Sequence, residues 1–113
     1  VLFRSDVAAK KVLRAPVIIT VAVEPSADPK VPEMEEICAT AAATQNLLLA
    51  AHALGLAAVW RTGDYCASPE IRNLYGLSDR GQVIGFVYLG LPEDAGSTKP
   101  RKGAEELTTW LGW

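Results

Sequence analysis

The sequence predicts an α+β fold, layered in the α/β manner, with a central sheet flanked by helices. Three observations carry this. Three apolar runs have the composition of strands: residues 17–23 (VIITVAV), 56–60 (LAAVW) and 83–89 (VIGFVYL). Such β-branched and aromatic residues suit a pleated, covered surface. Helical stretches alternate with these runs, which indicates a layered domain. Finally, no charged residue lies between Glu36 and Arg61. A helix that is apolar on nearly every face is buried in protein or crosses a membrane.

At 113 residues the chain is at most one domain. Half the residues are hydrophobic and 21% are charged, an ordinary globular composition. A net charge of −2 gives no electrostatic case for nucleic acid or for an anionic membrane surface. Cys38 and Cys66 are too few for a disulfide scaffold, and with one histidine they lack metal-ligand spacing. No metal site is expected, and a reduced, cytoplasmic setting is the default. Val1-Leu2-Phe3 is too short for the apolar region of a signal peptide, and Arg4 interrupts it. The chain begins without Met in what reads as the tail of a helix. The expectation is the C-terminal part of a larger domain or a truncated reading frame.

In chain order, Ser5 or Asp6 caps a short helix over 7–13, and Lys10, Lys11 and Arg14 fall near its C-terminus. Pro16 stops it. The run 17–23 reads as a strand covered on both faces. Pro25, Pro29 and Pro32 break residues 24–32. A long helix over 34–54 follows, with Glu33, Glu35 and Glu36 at the positive end of its dipole and Gly55 as the C′ glycine. It is expected to be the most buried element. Gln45 and Asn46 argue against a membrane span, because both amides would need partners in mid-bilayer. Residues 56–60 read as a short buried strand. Ser68 as cap, Pro69 in the first position and Glu70 in the first turn start a helix that runs to about Tyr75, closed by Gly76. Asp79, Arg80 and Gly81 form a turn before the third, central strand at 83–89. A loop rich in Gly and Pro covers 90–104. The end, 105–113, carries Leu107, Trp110, Leu111 and Trp113, and is expected to dock on this body or on another subunit.

The first candidate site is Trp60-Arg61-Thr62-Gly63. Arg supplies a planar fork of donors, Thr a hydroxyl, and Gly lets backbone approach a ligand closely. Ligands of open α/β sheets sit at the carboxyl ends of strands. The alternative is a surface Arg in an ordinary turn. His52, alone on an apolar helix, reads as a satisfied buried imidazole. Cys38 and Cys66 read as small buried or half-buried residues. Lys99, Arg101 and Lys102 are a solvated loop or a phosphate clamp. No Ser/His/Asp order, P-loop or G-x-G-x-x-G is present.

Four segments in order and spacing, APVIITV (15–21), AAHALGLAAVWRTG (50–63), SPEIRNLYGL (68–77) and VIGFVYLGLP (83–92), resemble the C-terminal half of the nitroreductase family. The similarity is greatest to its small bacterial NAD(P)H branch. The resemblance implies a nitroreductase-like fold, with 1–113 as the C-terminal portion of a single domain. It implies FMN as cofactor, NAD(P)H as co-substrate and a homodimer with flavin at the subunit interface. It also implies reduction of flat, electron-poor small molecules, such as nitroaromatics or quinones, by hydride transfer through flavin. By position Trp60, Arg61 and Thr62 match the family's flavin-contacting W-R-S stretch, and Gly63 follows it. Thr62 in place of Ser keeps the hydroxyl. Arg101 lies where family members place basic residues near the FMN phosphate. Ala50, Ala51, His52, Ala53, Leu54 and Gly55 match the segment assigned to the nicotinamide nucleotide. No catalytic acid or base is implied, since the cofactor carries the chemistry. The family's N-terminal R-R-S-x-R phosphate motif has no counterpart in this sequence. A second function class therefore stands beside the first: a truncated, non-catalytic piece that dimerises through its long helix and binds no flavin.

Overall fold

The computed structural model describes residues 13–94 and 96–112. All but the last residue of the helix expected over 7–13 falls outside them, as does Trp113. The elements are strand β1 (Val17–Val23), helix α1 (Glu33–Ala53), strand β2 (Ala57–Arg61), a 3-10 turn (Asp64–Ala67), helix α2 (Pro69–Leu74), strand β3 (Gln82–Gly90) and a short helix α3 (Ala104–Leu107). The strands form one antiparallel sheet in the order β1-β3-β2. Val17 faces Leu89 across one seam and Ala57 faces Gly90 across the other.

The middle strand holds the core. Val83, Phe86, Val87 and Tyr88 of β3 are buried, Val87 completely so at 0% exposure. β3, not the long helix, is the most buried element. The outer strands differ from the sequence expectation for a simple reason: each has one strand neighbour among the described residues. In β1 Val17 is exposed, the next five residues are half-buried and only Val23 is buried, so both faces of this strand are covered only in part. β2 is an alternating strand and not a buried one: Ala57, Val59 and Arg61 are exposed, Ala58 and Trp60 half-buried. That alternation is the period of a strand covered on one side.

α1 lies against all three strands. Its covered stripe is Ile37, Thr40, Ala41, Thr44, Leu47, Leu48 and Ala51, spaced by threes and fours. Only Thr44 and Ala51 are fully buried. The opposite face, with Cys38, Ala42, Ala43, Leu49 and Ala53, is exposed, which overturns burial on every side. Thr40 and Thr44 hide their hydroxyls by donating to the carbonyls of Glu36 and Thr40, both at 2.8 Å. The helix ends as its sequence predicts. Gly55 takes φ +75°, its N–H donates to the His52 carbonyl at 3.0 Å, and Leu56 N–H donates to the Ala51 carbonyl at 2.9 Å. This pair of bonds satisfies two of the last four carbonyls of the helix, and a left-handed φ favours glycine.

A polar latch joins the end of β1, the start of α1 and the turn before β3. The Ser78 amide donates to Glu24 Oε2 at 3.0 Å and the Ser78 hydroxyl donates to Oε1. Arg80 Nη1 donates to the Ser26 carbonyl at 2.8 Å, and Nη2 lies 3.6 Å from Glu33 Oε2. Gln82 Nε2 donates to Glu33 Oε1 at 2.9 Å. The Ser78 hydroxyl and amide hold the Glu24 carboxyl below its ordinary range.

The C-terminal segment is not docked on this body. Leu107, Trp110 and Leu111 are 71%, 84% and 83% exposed. Among the described residues no helix is long and apolar enough to cross a membrane.

Candidate functional site

β2 hands the chain out of the sheet at Arg61, and Thr62-Gly63 leads into the 3-10 turn. The sheet is antiparallel, so the rule for strand ends of parallel α/β sheets does not apply, and the loop has to be judged by its own geometry. Trp60 lies opposite Val87, and Arg61 opposite Phe86. The Trp60 indole is seated on Gly85 of β3. A Cβ added there would fall 2.1 Å from the indole Nε1 and 2.9 Å from the Arg61 carbonyl oxygen. Gly85 also stands where the β1–β3 register breaks: Val21 pairs with Gly85, but Ala22 pairs with Val83. Such an irregularity bends and twists the strand locally. The indole Nε1–H is buried and has no hydrogen-bond partner among the described residues. Arg61, Thr62 and Gly63 are all exposed. Neither ion pair found among the described residues involves Arg61.

One residue that the sequence reading did not single out shapes this loop. Tyr65 donates from Oη to the Thr62 carbonyl over a long 3.3 Å. Its ring occupies the place of a side chain at Gly63: a Cβ there would lie 2.5 Å from Tyr65 Cε1. Gly63 is extended at φ 169°, a conformation open to any residue, so the Tyr65 ring and not the backbone angle calls for glycine. The ring tilts against Phe86 at 42°, with centroids 5.4 Å apart. The Cys66 amide closes the turn by donating to the Gly63 carbonyl at 2.9 Å. Burial pushes the Tyr65 phenol up, so it stays protonated and able to donate. An aromatic two residues past the glycine of W-R-T-G was the available signal in the sequence.

A cleft of about 480 Å³ opens beside Gly63, lined among others by Cys66, Arg72, Arg80, Glu33 and Gln82. Most of its charges are already paired. Arg72 Nη2 lies 3.3 Å from Asp79, and Arg80 belongs to the latch. Ser68 caps α2 as expected, accepting from the Ile71 amide at 3.2 Å.

The other candidates sit apart. Ala50, Ala51, His52, Ala53, Leu54 and Gly55 form the last turn of α1 and its cap. Ala51 is buried and the rest are exposed, which corrects the reading of His52 as a buried imidazole. Leu56 and the five residues of β2 separate this turn from Thr62, and β2 alone spans about 16 Å at strand rise. Arg101 is exposed on the loop before α3. Cys38 is exposed and Cys66 half-buried. Among the described residues no group of three or more His, Cys, Asp or Glu could hold a metal ion.

The model of the nitroreductase family matches residues 2–91. The Escherichia coli K12 protein named "Putative NAD(P)H nitroreductase YdjA" is 36% identical over 93 residues, which covers 82% of this chain and 51% of that protein. The chain thus spans about half the length of the curated relatives it matches. A nitroreductase-like family protein from Bacillus cereus superposes with a TM-score of 0.79 at 26% identity, covering 97% of this chain and 58% of that one. A nitroreductase with bound FMN from Bacteroides fragilis superposes with a TM-score of 0.62 at 27% identity, covering 87% and 52%.

Proposed function

This chain belongs to the nitroreductase family, and from that premise we propose that it works as an FMN-dependent NAD(P)H oxidoreductase. Its substrates are flat, electron-poor small molecules such as nitroaromatics or quinones. The observation that carries the reading is the exposed Arg61-Thr62-Gly63 stretch that leaves β2 after the half-buried Trp60, in a fold shared with a neighbour that binds FMN. The donor set fits a flavin. The Arg61 fork suits the polar edge of the isoalloxazine ring or the ribityl hydroxyls, and Thr62 adds a hydroxyl.

Bound FMN supplies the hydride-transfer chemistry; the chain's task is to bind and orient it. In this reading Arg101 meets the phosphate, and the turn from Ala50 to Gly55 meets the nicotinamide nucleotide. The assembly is a homodimer in the cytoplasm. Its support is the outer face of α1, where Ala39, Ala42, Ala43 and Ala50 are small and exposed, so a second helix can approach closely. The bare tail with Leu107, Trp110 and Leu111 is a second apolar surface for a partner subunit.

The test is an FMN titration of wild type and Arg61→Ala, followed by flavin fluorescence, with thermal melts of the ligand-free proteins. A hydrogen bond from a charged donor contributes about 1.5–3 kcal/mol. That corresponds to roughly a tenfold to hundredfold loss of affinity. Lysine should restore part of it, keeping the charge and losing the fork. Equal affinities refute the role of Arg61. A wild-type chain that dimerises and binds no flavin selects the second reading, a non-catalytic piece of the family.

A further inference from the structure

We propose that Tyr65 is a positioning residue for the flavin-contacting loop, fixing Thr62 and Gly63 from one side so that Arg61 and Thr62 keep their polar groups free for the ligand. The proposal rests on the flavin reading above and names a residue that neither the sequence motifs nor the family resemblance assigned.

Three contacts carry it. The Tyr65 hydroxyl donates to the Thr62 carbonyl at 3.3 Å. The Tyr65 ring fills the side of Gly63 where any other residue would place its Cβ, 2.5 Å away. The 3-10 turn beginning at Asp64 returns the chain so that Cys66 N–H reaches the Gly63 carbonyl at 2.9 Å. The brace is anchored in the core. Its ring leans on Phe86, a buried residue of the central strand and the register partner of Arg61. Loop and strand are therefore referenced to the same residue, the loop through its ring and β2 through its backbone. A site built this way places its ligand contacts through rigid elements and not through a free loop.

A Tyr65 that only fills space would not need its hydroxyl. Tyr65→Phe separates the two roles, since it keeps the ring, the Phe86 contact and the block at Gly63 and removes one donor. FMN is titrated into wild type and Tyr65→Phe chains, with the visible absorption spectrum of the bound flavin recorded for both. The expected result is an FMN Kd raised about twofold to tenfold, the range of one neutral hydrogen bond. A shifted flavin band and an unchanged melting temperature of the ligand-free protein should accompany it. Equal affinity with an identical flavin spectrum overturns the proposal. A lowered melting temperature without a change in affinity overturns it too, because it assigns Tyr65 to packing alone. Amide exchange of Cys66 in the ligand-free chain gives a readout that needs no flavin. If wild type binds no FMN, the flavin reading fails by itself and this exchange decides the brace. Faster exchange in Tyr65→Phe supports the brace, and unchanged exchange overturns it.

Discussion

Gly85→Ala is the sharpest single perturbation the structure offers. Gly85 lies in the central strand under the Trp60 indole, and a Cβ there would meet Nε1 at 2.1 Å, Cδ1 at 2.7 Å and the Arg61 carbonyl oxygen at 2.9 Å. Ordinary contact begins at 3.4 Å, so the indole has to retreat by the difference, about 1.3 Å, or the two strands have to part. The backbone oxygen is a rigid neighbour, and Val87 beside the indole's own strand position is completely buried. Overpacking of this kind costs about 1–3 kcal/mol. For a domain near this size each kcal/mol moves the midpoint by about 4–8 °C, so the melt should fall by roughly 4–24 °C. Gly90→Ala serves as the control, since its added methyl meets only the Pro16 ring, Cδ at 3.3 Å and Cγ at 3.6 Å, and should cost less. The assay is a thermal melt by circular dichroism, with tryptophan emission read in a background where Trp110 and Trp113 are replaced by Phe. Trp60 emission should shift, because the ring leaves its seat. FMN affinity should fall as well, since Arg61 and Thr62 follow Trp60 directly. A Gly85→Ala melt within about 1 °C of wild type with unchanged emission would refute the packing of Trp60 on Gly85.

Two further outcomes are expected. Ala43→Glu changes an outward position of α1, so a lone subunit should tolerate it within about 0.5 kcal/mol while assembly is lost; light scattering that finds the same mass for variant and wild type removes α1 from the interface. The Glu24 carboxyl has its folded pKa lowered by Ser78, so its contribution to stability is complete above the ordinary glutamate range of about pH 4.3 and is lost as pH falls through the lowered value. Wild type should lose more stability than Glu24→Gln across that acid window, and parallel acid-denaturation curves would show that the latch adds nothing.

Much of the local structure was legible because local chemistry decides it. Gly55 ends α1 with a left-handed φ, and Ser68-Pro69-Glu70 starts α2 with the predicted cap. Strand identity was legible too, but strand rank was not. VIITVAV and VIGFVYL look equally suited to a central position, and only the pairing puts the second in the middle and the first outside. The burial of α1 was misjudged because alanine, threonine and leucine occupy both faces, so composition carries no sign of which side meets the sheet. The Glu24–Ser78 contact joins residues 54 apart in sequence, and no short motif announces it. In the site, W-R-T-G could be found by its residue types, whereas the reason for its glycine could not. The reason is the ring of Tyr65, whose direction depends on how the 3-10 turn folds back.

The strand order has a consequence for the order of events in folding. β1 and β2 pair with β3 and not with each other among the described residues, and β3 is the last of these strands in chain order. During synthesis residues 24–81 are therefore made before VIITVAV can meet the strand that it pairs with among the described residues. At roughly 5–20 residues per second this wait is about 3–12 s. Throughout it, the backbone donors and acceptors that β1 will turn to β3 stay open, the condition under which strands find partners in other chains. α1 can form early, since its hydrogen bonds are local, but its covered stripe has no complete sheet to rest on. Sheet formation is thus an event of the last third of the chain. A nascent or proteolysed chain that stops before Gln82 holds β1 and β2 without the strand that joins them.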